Sequence, residues 1–75
     1  MPHPDAPVPA ELTLALDAAP DAGATFAGLP PSHRWEYVRW VGEAVKPETR
    51  QRRAGKAVER LRAYAARLDA RRAGS

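Results

Sequence analysis

Cysteine is absent from this 75-residue chain, so neither a disulfide framework nor a thiolate metal site can reinforce it. That suits a reducing compartment, and a cytoplasmic protein is the expectation. Long apolar runs are missing too. Nothing approaches the roughly 20 residues needed to span a bilayer, and no basic segment of the kind that opens a secretory signal stands at the N-terminus. Alternating β-branched runs are lacking, which leaves no strand candidate, and no internal repeat is visible. Catalytic groups are scarce. The histidines are His3, in a proline-rich arm, and His33, at a helix start; Ser32 adjoins His33, but neighbours on a helix cap diverge and no acid completes the set. The nine carboxylates show no paired spacing, and neither a metal cluster nor a Gly-rich phosphate loop occurs. The expectation is a protein that is not an enzyme and has no catalytic residues, metal or cofactor. One sign of charge is missing from half the chain. Residues 1–33 hold Asp5, Glu11, Asp17 and Asp21 with no Lys or Arg, a net −4; residues 34–75 hold all twelve cations against five acids, a net +7. Such asymmetry calls for an acidic partner or for pairing between the two halves.

What is present reads as helix. "MPHPDAPVP" has four prolines in nine residues and is expected to form a flexible arm over residues 1–8. Pro9 suits a first helical turn, and Leu12, Ala15, Leu16 and Ala19 follow at i, i+3, i+4, i+7. Pro20 should end that helix. Asp21 is placed to cap a short second helix carrying Ala22, Phe26 and Leu29, and Ser32 to cap a third, "HRWEYVRWVGEAV". The third has apolar residues over more than half its circumference, which predicts a central position. Gly42 within it suggests close approach of another backbone. A last helix should begin at Lys46–Pro47, with Glu48 near its positive end, and run to about Arg71, leaving 73–75 frayed. Ala54, Ala57, Val58, Leu61, Tyr64, Ala65 and Leu68 mark its inner face. Its distal half needs cover, from helix one folded back or from a second copy of the chain. The fold class is all-α: one bundle of three to four helices over residues 9–72, monomeric or dimeric through the last helix.

On a wheel of about 100° per residue with Arg50 at zero, the apolar face of the last helix spans roughly 320° through 0° to 80°. Arg52, Arg53, Lys56, Arg60, Arg67 and Arg71 gather between roughly 200° and 300°, and Thr49, Ala63 and Ala70 share that sector without obstructing it. Two readings of this basic stripe stand: a solvated face with ordinary Glu48–Arg52 and Glu59–Arg62 pairs, or a surface for a phosphate backbone, an acidic protein or anionic lipid, the last disfavoured because the opposite face lacks bulky anchors. Arg50 differs, because it sits on the apolar side, where a guanidinium requires a carboxylate, helix-end carbonyls or a bound anion. Arg34 poses the same question. With Tyr37, Trp40, Lys46 and Thr49, these two are expected to converge at the junction of the last two helices, as a structural knot or as an anion or peptide pocket.

The segment from Val8 to Arg62 resembles the C-terminal helical region of the YdeI/OmpD-associated family, also called bacteriocin-protection proteins. The matching pattern comprises Pro9, Leu12, Ala15 and Leu16; Phe26 and Leu29; Ser32, Arg34, Tyr37 and Trp40; and Lys46, Pro47, Glu48, Thr49, Arg50 and Arg53. Family members carry a further N-terminal domain, often rich in strands, in place of the proline arm, and larger apolar residues where this chain has Gly42 and Ala54; Val45 stands where they have Lys. The resemblance implies a bacterial helical unit linked to tolerance of bacteriocins, antimicrobial peptides or envelope stress, and it brings no catalytic residue. The combined expectation is a binding or adaptor module acting on an acidic protein or peptide through Arg34, Tyr37, Trp40, Lys46, Thr49 and Arg50. The alternative is a sequence-blind nucleic-acid binder using Arg53, Lys56, Arg60, Arg67 and Arg71.

Overall fold

The computed structural model describes residues 8–74, so all but Val8 of the expected arm lies outside the described residues. Four helices follow in order: α1 (Ala10–Ala18), α2 (Pro20–Ala27), α3 (Pro31–Gly42) and α4 (Pro47–Gly74). No strand occurs among the described residues, and the class is all-α as expected. Among the described residues no helix is long and apolar enough to cross a membrane.

Proline sets three of the four starts. Pro20, Pro31 and Pro47 each occupy the first helical position, where a missing N–H costs nothing. This displaces the expected caps. Asp21 and Ser32 lie inside the first turn, the N-cap positions fall to Ala19 and Pro30, and neither helix has a side-chain cap hydrogen bond. Without that bond Asp21 is free for another partner. The carboxyl end of α3 also arrives early: the chain leaves the helix after Gly42, and Val45, expected on its apolar face, is 89% exposed. α4 continues to Gly74, beyond the expected end near Arg71.

Ion pairs fix the path of the chain along α4. Glu11 meets Arg50 and Asp21 meets Arg62, so ten residues of α1–α2 advance beside twelve residues of α4 in the same direction. α3 then returns antiparallel, bringing Trp40 against Arg53. At 1.5 Å per residue the 28-residue α4 is about 42 Å long, which sets the 43 Å long axis of a molecule only 16 Å thick. α4 touches every other helix and is the hub. α3 was expected to be central, yet Val41 is its only fully covered side chain, and Trp35 and Val38 are only half-buried.

The core has two joined parts. Leu12, Val41, Ala54 and Ala57 fill the space between α1, α3 and the first turns of α4. Ala19, Ala22, Leu29, Val58 and Leu61 fill the space under α2. Ala15, Leu16, Phe26 and Tyr37 touch both, and the Phe26 and Tyr37 rings meet edge to face at 6.2 Å. The cluster that covers Leu61 is therefore built on α2 and the residues flanking it, with α1 contributing only Ala15 and Leu16 near its carboxyl end. The nine residues of α1 span about 13.5 Å and are anchored at Arg50, so α1 is used up before α4 reaches Leu61. α2 runs so close to α1 that a Cβ on Gly23 would stand 3.2 Å from the Leu16 carbonyl oxygen. Among the described residues no backbone of another element approaches Gly42; its nearest neighbour there is the Pro9 ring, at ordinary contact distance.

Candidate functional site

The six residues expected at one junction are divided between two ends of α3. At its amino end, Arg34 donates from Nη1 to the Leu29 carbonyl at 2.6 Å and to the Ala27 carbonyl at 3.2 Å, closing the turn between α2 and α3. At the other end, Arg50 donates through Nε to Glu11 at 3.0 Å and through Nη1 to the carbonyls of Ala44 and Val45 at 3.1 and 2.9 Å. One guanidinium thus ties α1, the α3–α4 loop and the first turn of α4. About ten residues separate the two anchors along α3 and its exit, roughly 15 Å, so they share no pocket. Lys46 is exposed and contributes its carbonyl to the Arg50 amide; Thr49 is half-buried.

Glu11 is held below the usual carboxylate value, first by a hydrogen bond from backbone amide and then by Arg50, against a smaller desolvation effect. Asp21 is lowered chiefly by the hydrogen bonds from Arg62, whose own pKa is raised by Asp21. Arg62 grips both Asp21 oxygens, from Nε at 2.9 Å and Nη2 at 3.2 Å, the bidentate geometry suited to guanidinium and carboxylate. The expected Glu59–Arg62 pair gives way to this one; Glu59 meets Lys56 at 3.5 Å instead. No ion pair joins Glu48 to Arg52 among the described residues. The charge asymmetry of the sequence is therefore partly met inside the molecule.

The basic stripe is also redistributed. Arg53 is half-buried and donates to the Trp40 carbonyl at 2.8 Å, with its guanidinium 5.7 Å from the Trp40 ring centroid. Arg60 lies over the same ring at 4.4 Å. Guanidinium over indole is an attractive geometry, strongest where water is excluded. Arg52 and Arg71 remain exposed.

These shifts build a cleft between α3 and α4 that neither expected residue set contains on its own. It has a volume of about 730 Å³, within the range of ligand-binding clefts. Leu29 and Leu61 form its floor, and Tyr37, Trp40 and Tyr64 its walls. Arg60 and Arg67 stand on the α4 rim, and His33 and Glu36 on the α3 rim. Trp40 and Tyr37 come from the expected junction, Arg60 and Arg67 from the expected stripe. His33, Glu36, Ala63 and Tyr64 were not foreseen as site residues. The available signal was Tyr64, an aromatic at the 320° edge of the apolar arc beside the basic sector. Arg60 and Arg67 have no ion-pair partner among the described residues. No group of His, Asp and Glu among the described residues is arranged to hold a metal ion.

The family model described as "Bacteriocin-protection, YdeI or OmpD-Associated" matches residues 5–64. That span includes both anchors, the α3 wall of the cleft and its α4 wall as far as Tyr64. No curated protein and no solved structure matches.

Proposed function

The chain belongs to the bacteriocin-protection, YdeI or OmpD-associated family, and from that premise we propose that it is a non-enzymatic helical binding module whose working surface is the α3–α4 cleft. Its contribution to bacteriocin or antimicrobial-peptide tolerance is to hold a segment of a partner protein there. The observation that carries this reading is the cleft itself: three aromatic side chains and two guanidiniums without an ion-pair partner among the described residues, lining a volume of about 730 Å³. Aromatic residues and arginine are the groups that supply most binding energy at protein interfaces. The two anchors, Arg34 and Arg50, have a structural part, since their hydrogen-bonding groups are turned onto the chain's own carbonyls and Glu11.

Ala63 lines the cleft yet is itself exposed, so Ala63→Trp fills the space without disturbing the core. Peptides selected against the folded chain from a random displayed library should lose binding to Ala63→Trp and keep it towards a variant altered on the far side of α4. Cells relying on the chain for survival of a bacteriocin should lose protection with the same substitution. Peptides that bind Ala63→Trp unchanged would contradict the reading.

The nucleic-acid alternative draws on Arg60, Arg67 and Arg71, which have no ion-pair partner among the described residues. Arg53 and Lys56, by contrast, are engaged by Trp40 and Glu59. With about three phosphate contacts left, a plot of log affinity against log salt concentration should have a slope of magnitude about 3 or less.

A further inference from the structure

We infer that the cleft takes an amphipathic helix whose apolar stripe is flanked by acidic residues on one side, laid along α4 with its carboxylates towards Arg60 and Arg67. The inference rests on the cleft being the binding surface and adds the chemistry of its occupant. The first ground is shape. The cleft is lined from His33 to Trp40 on α3 and from Arg60 to Arg67 on α4, two turns of each of two antiparallel rods, so its axis is that of a groove about 10 Å long. A third rod settles into such a groove by ridge-in-groove packing, presenting side chains at i, i+3 or i+4, and i+7 to the apolar floor.

The second ground is charge complementarity. Arg60 and Arg67 stand seven positions apart on one helix, which places them on the same rim about 10.5 Å apart. Carboxylates seven residues apart on a helix running along α4 match that spacing. Neither arginine has a carboxylate partner among the described residues, whereas Arg39, Arg50, Lys56 and Arg62 each have one. Across the cleft, Glu36 repels acid from the α3 rim, so the occupant's acidic flank is directed to one side and its orientation about its own axis is fixed. A cationic helix would meet two guanidiniums with only the Glu36 carboxylate to offset them. Arg60 lies against Trp40, which holds its charge at the mouth of the apolar trough, where a partner's carboxylate and leucine can be met together.

The test uses Trp40 as the only tryptophan reporter, in a Trp35→Phe background. The probe is an alanine-based helical peptide of about 14 residues with a leucine stripe and glutamates seven apart on one flank. Its control has lysines in place of the glutamates. The expected result is a saturable change in Trp40 emission with affinity at least tenfold greater for the acidic peptide. That preference should reverse in the Arg60→Glu, Arg67→Glu double variant, whose helicity is checked by circular dichroism. Equal affinity for the two peptides overturns the acidic occupant while leaving the cleft as a binding surface. No response to either peptide overturns both. Displacement of the acidic peptide by duplex DNA, with a salt slope of magnitude about 3, overturns the inference in favour of phosphate binding.

Discussion

Single residues separate the structural role of arginine in this protein from the recognition role proposed for it. Arg50 and Arg60 are ten positions apart on one helix, yet the first is spent on Glu11, Ala44 and Val45 and the second stacks on an aromatic ring at a cleft mouth. Arg50→Ala should lower stability by about 2 kcal/mol, roughly 10 °C in melting temperature, because two carbonyls and a carboxylate lose a charged donor. Calorimetry checks this, and peptide binding by the folded fraction should persist. The need of Arg50 for such partners was legible in the sequence, since a guanidinium on an apolar arc must find acceptors. Which acceptors was not, because Glu11 lies 39 residues away and only the parallel course of α1 brings it close. The glycines make a second residue-scale test. Gly55 is exposed with open space around a would-be Cβ, so Gly55→Ala should stabilise by about 1 kcal/mol. Gly23→Ala should destabilise, since the Leu16 carbonyl oxygen must give way, and thermal melts of the two variants should move in opposite directions.

At the scale of elements, the ends of helices were legible where proline marks them and misread where a polar residue followed it. Proline at the first position already fixes φ and leaves no N–H to satisfy, so the next Asp or Ser is not needed as a cap. Asp21 instead becomes a cross-helix partner of Arg62. Glu11 and Asp21 both have folded pKa values below their ordinary values of 4.5 and 3.8. A depressed carboxylate adds stability that is complete above its unfolded value and is lost as pH falls through the lower folded value. Unfolding followed in denaturant from pH 7 to pH 2 should therefore show stability declining below about pH 4.5, with a shallower decline in Glu11→Gln and Asp21→Asn. The continuity of α4 through Gly55 was also legible, from an unbroken apolar arc between Ala54 and Leu68. Leu61 is wholly covered and at the centre of the part of the core beneath α2. Leu61→Ala should cost about 2–5 kcal/mol, a large share of the stability of so small a domain, and chemical denaturation measures it. That α2 provides most of this cover, and α1 only Ala15 and Leu16, follows from helix lengths, which a wheel does not report.

For the whole molecule, the sequence made the family, the helical class and the hub's inner face readable, while the cleft was not. A cleft is a relation between two helices, and it depends on the antiparallel return of α3 and on which turn of α4 it meets. Trp40 and Arg60 are twenty residues apart, and a one-helix wheel assigns each to a separate face. Once α3 is docked, the aromatic edge of one helix and the basic edge of the other become the two sides of one groove. The proposed binding surface accordingly depends on Trp40 and the α4 rim rather than on the number of arginines. The most direct measurement is an NMR shift map of the ¹⁵N-labelled chain titrated with the acidic helical peptide. The account predicts that the Trp40 indole N–H, the Arg60 and Arg67 side-chain N–H groups and the Tyr64 amide move together, while Trp35 and the Arg50–Glu11 anchor stay still. Shifts gathered instead around Arg52 and Arg71, or around Arg50, would contradict it.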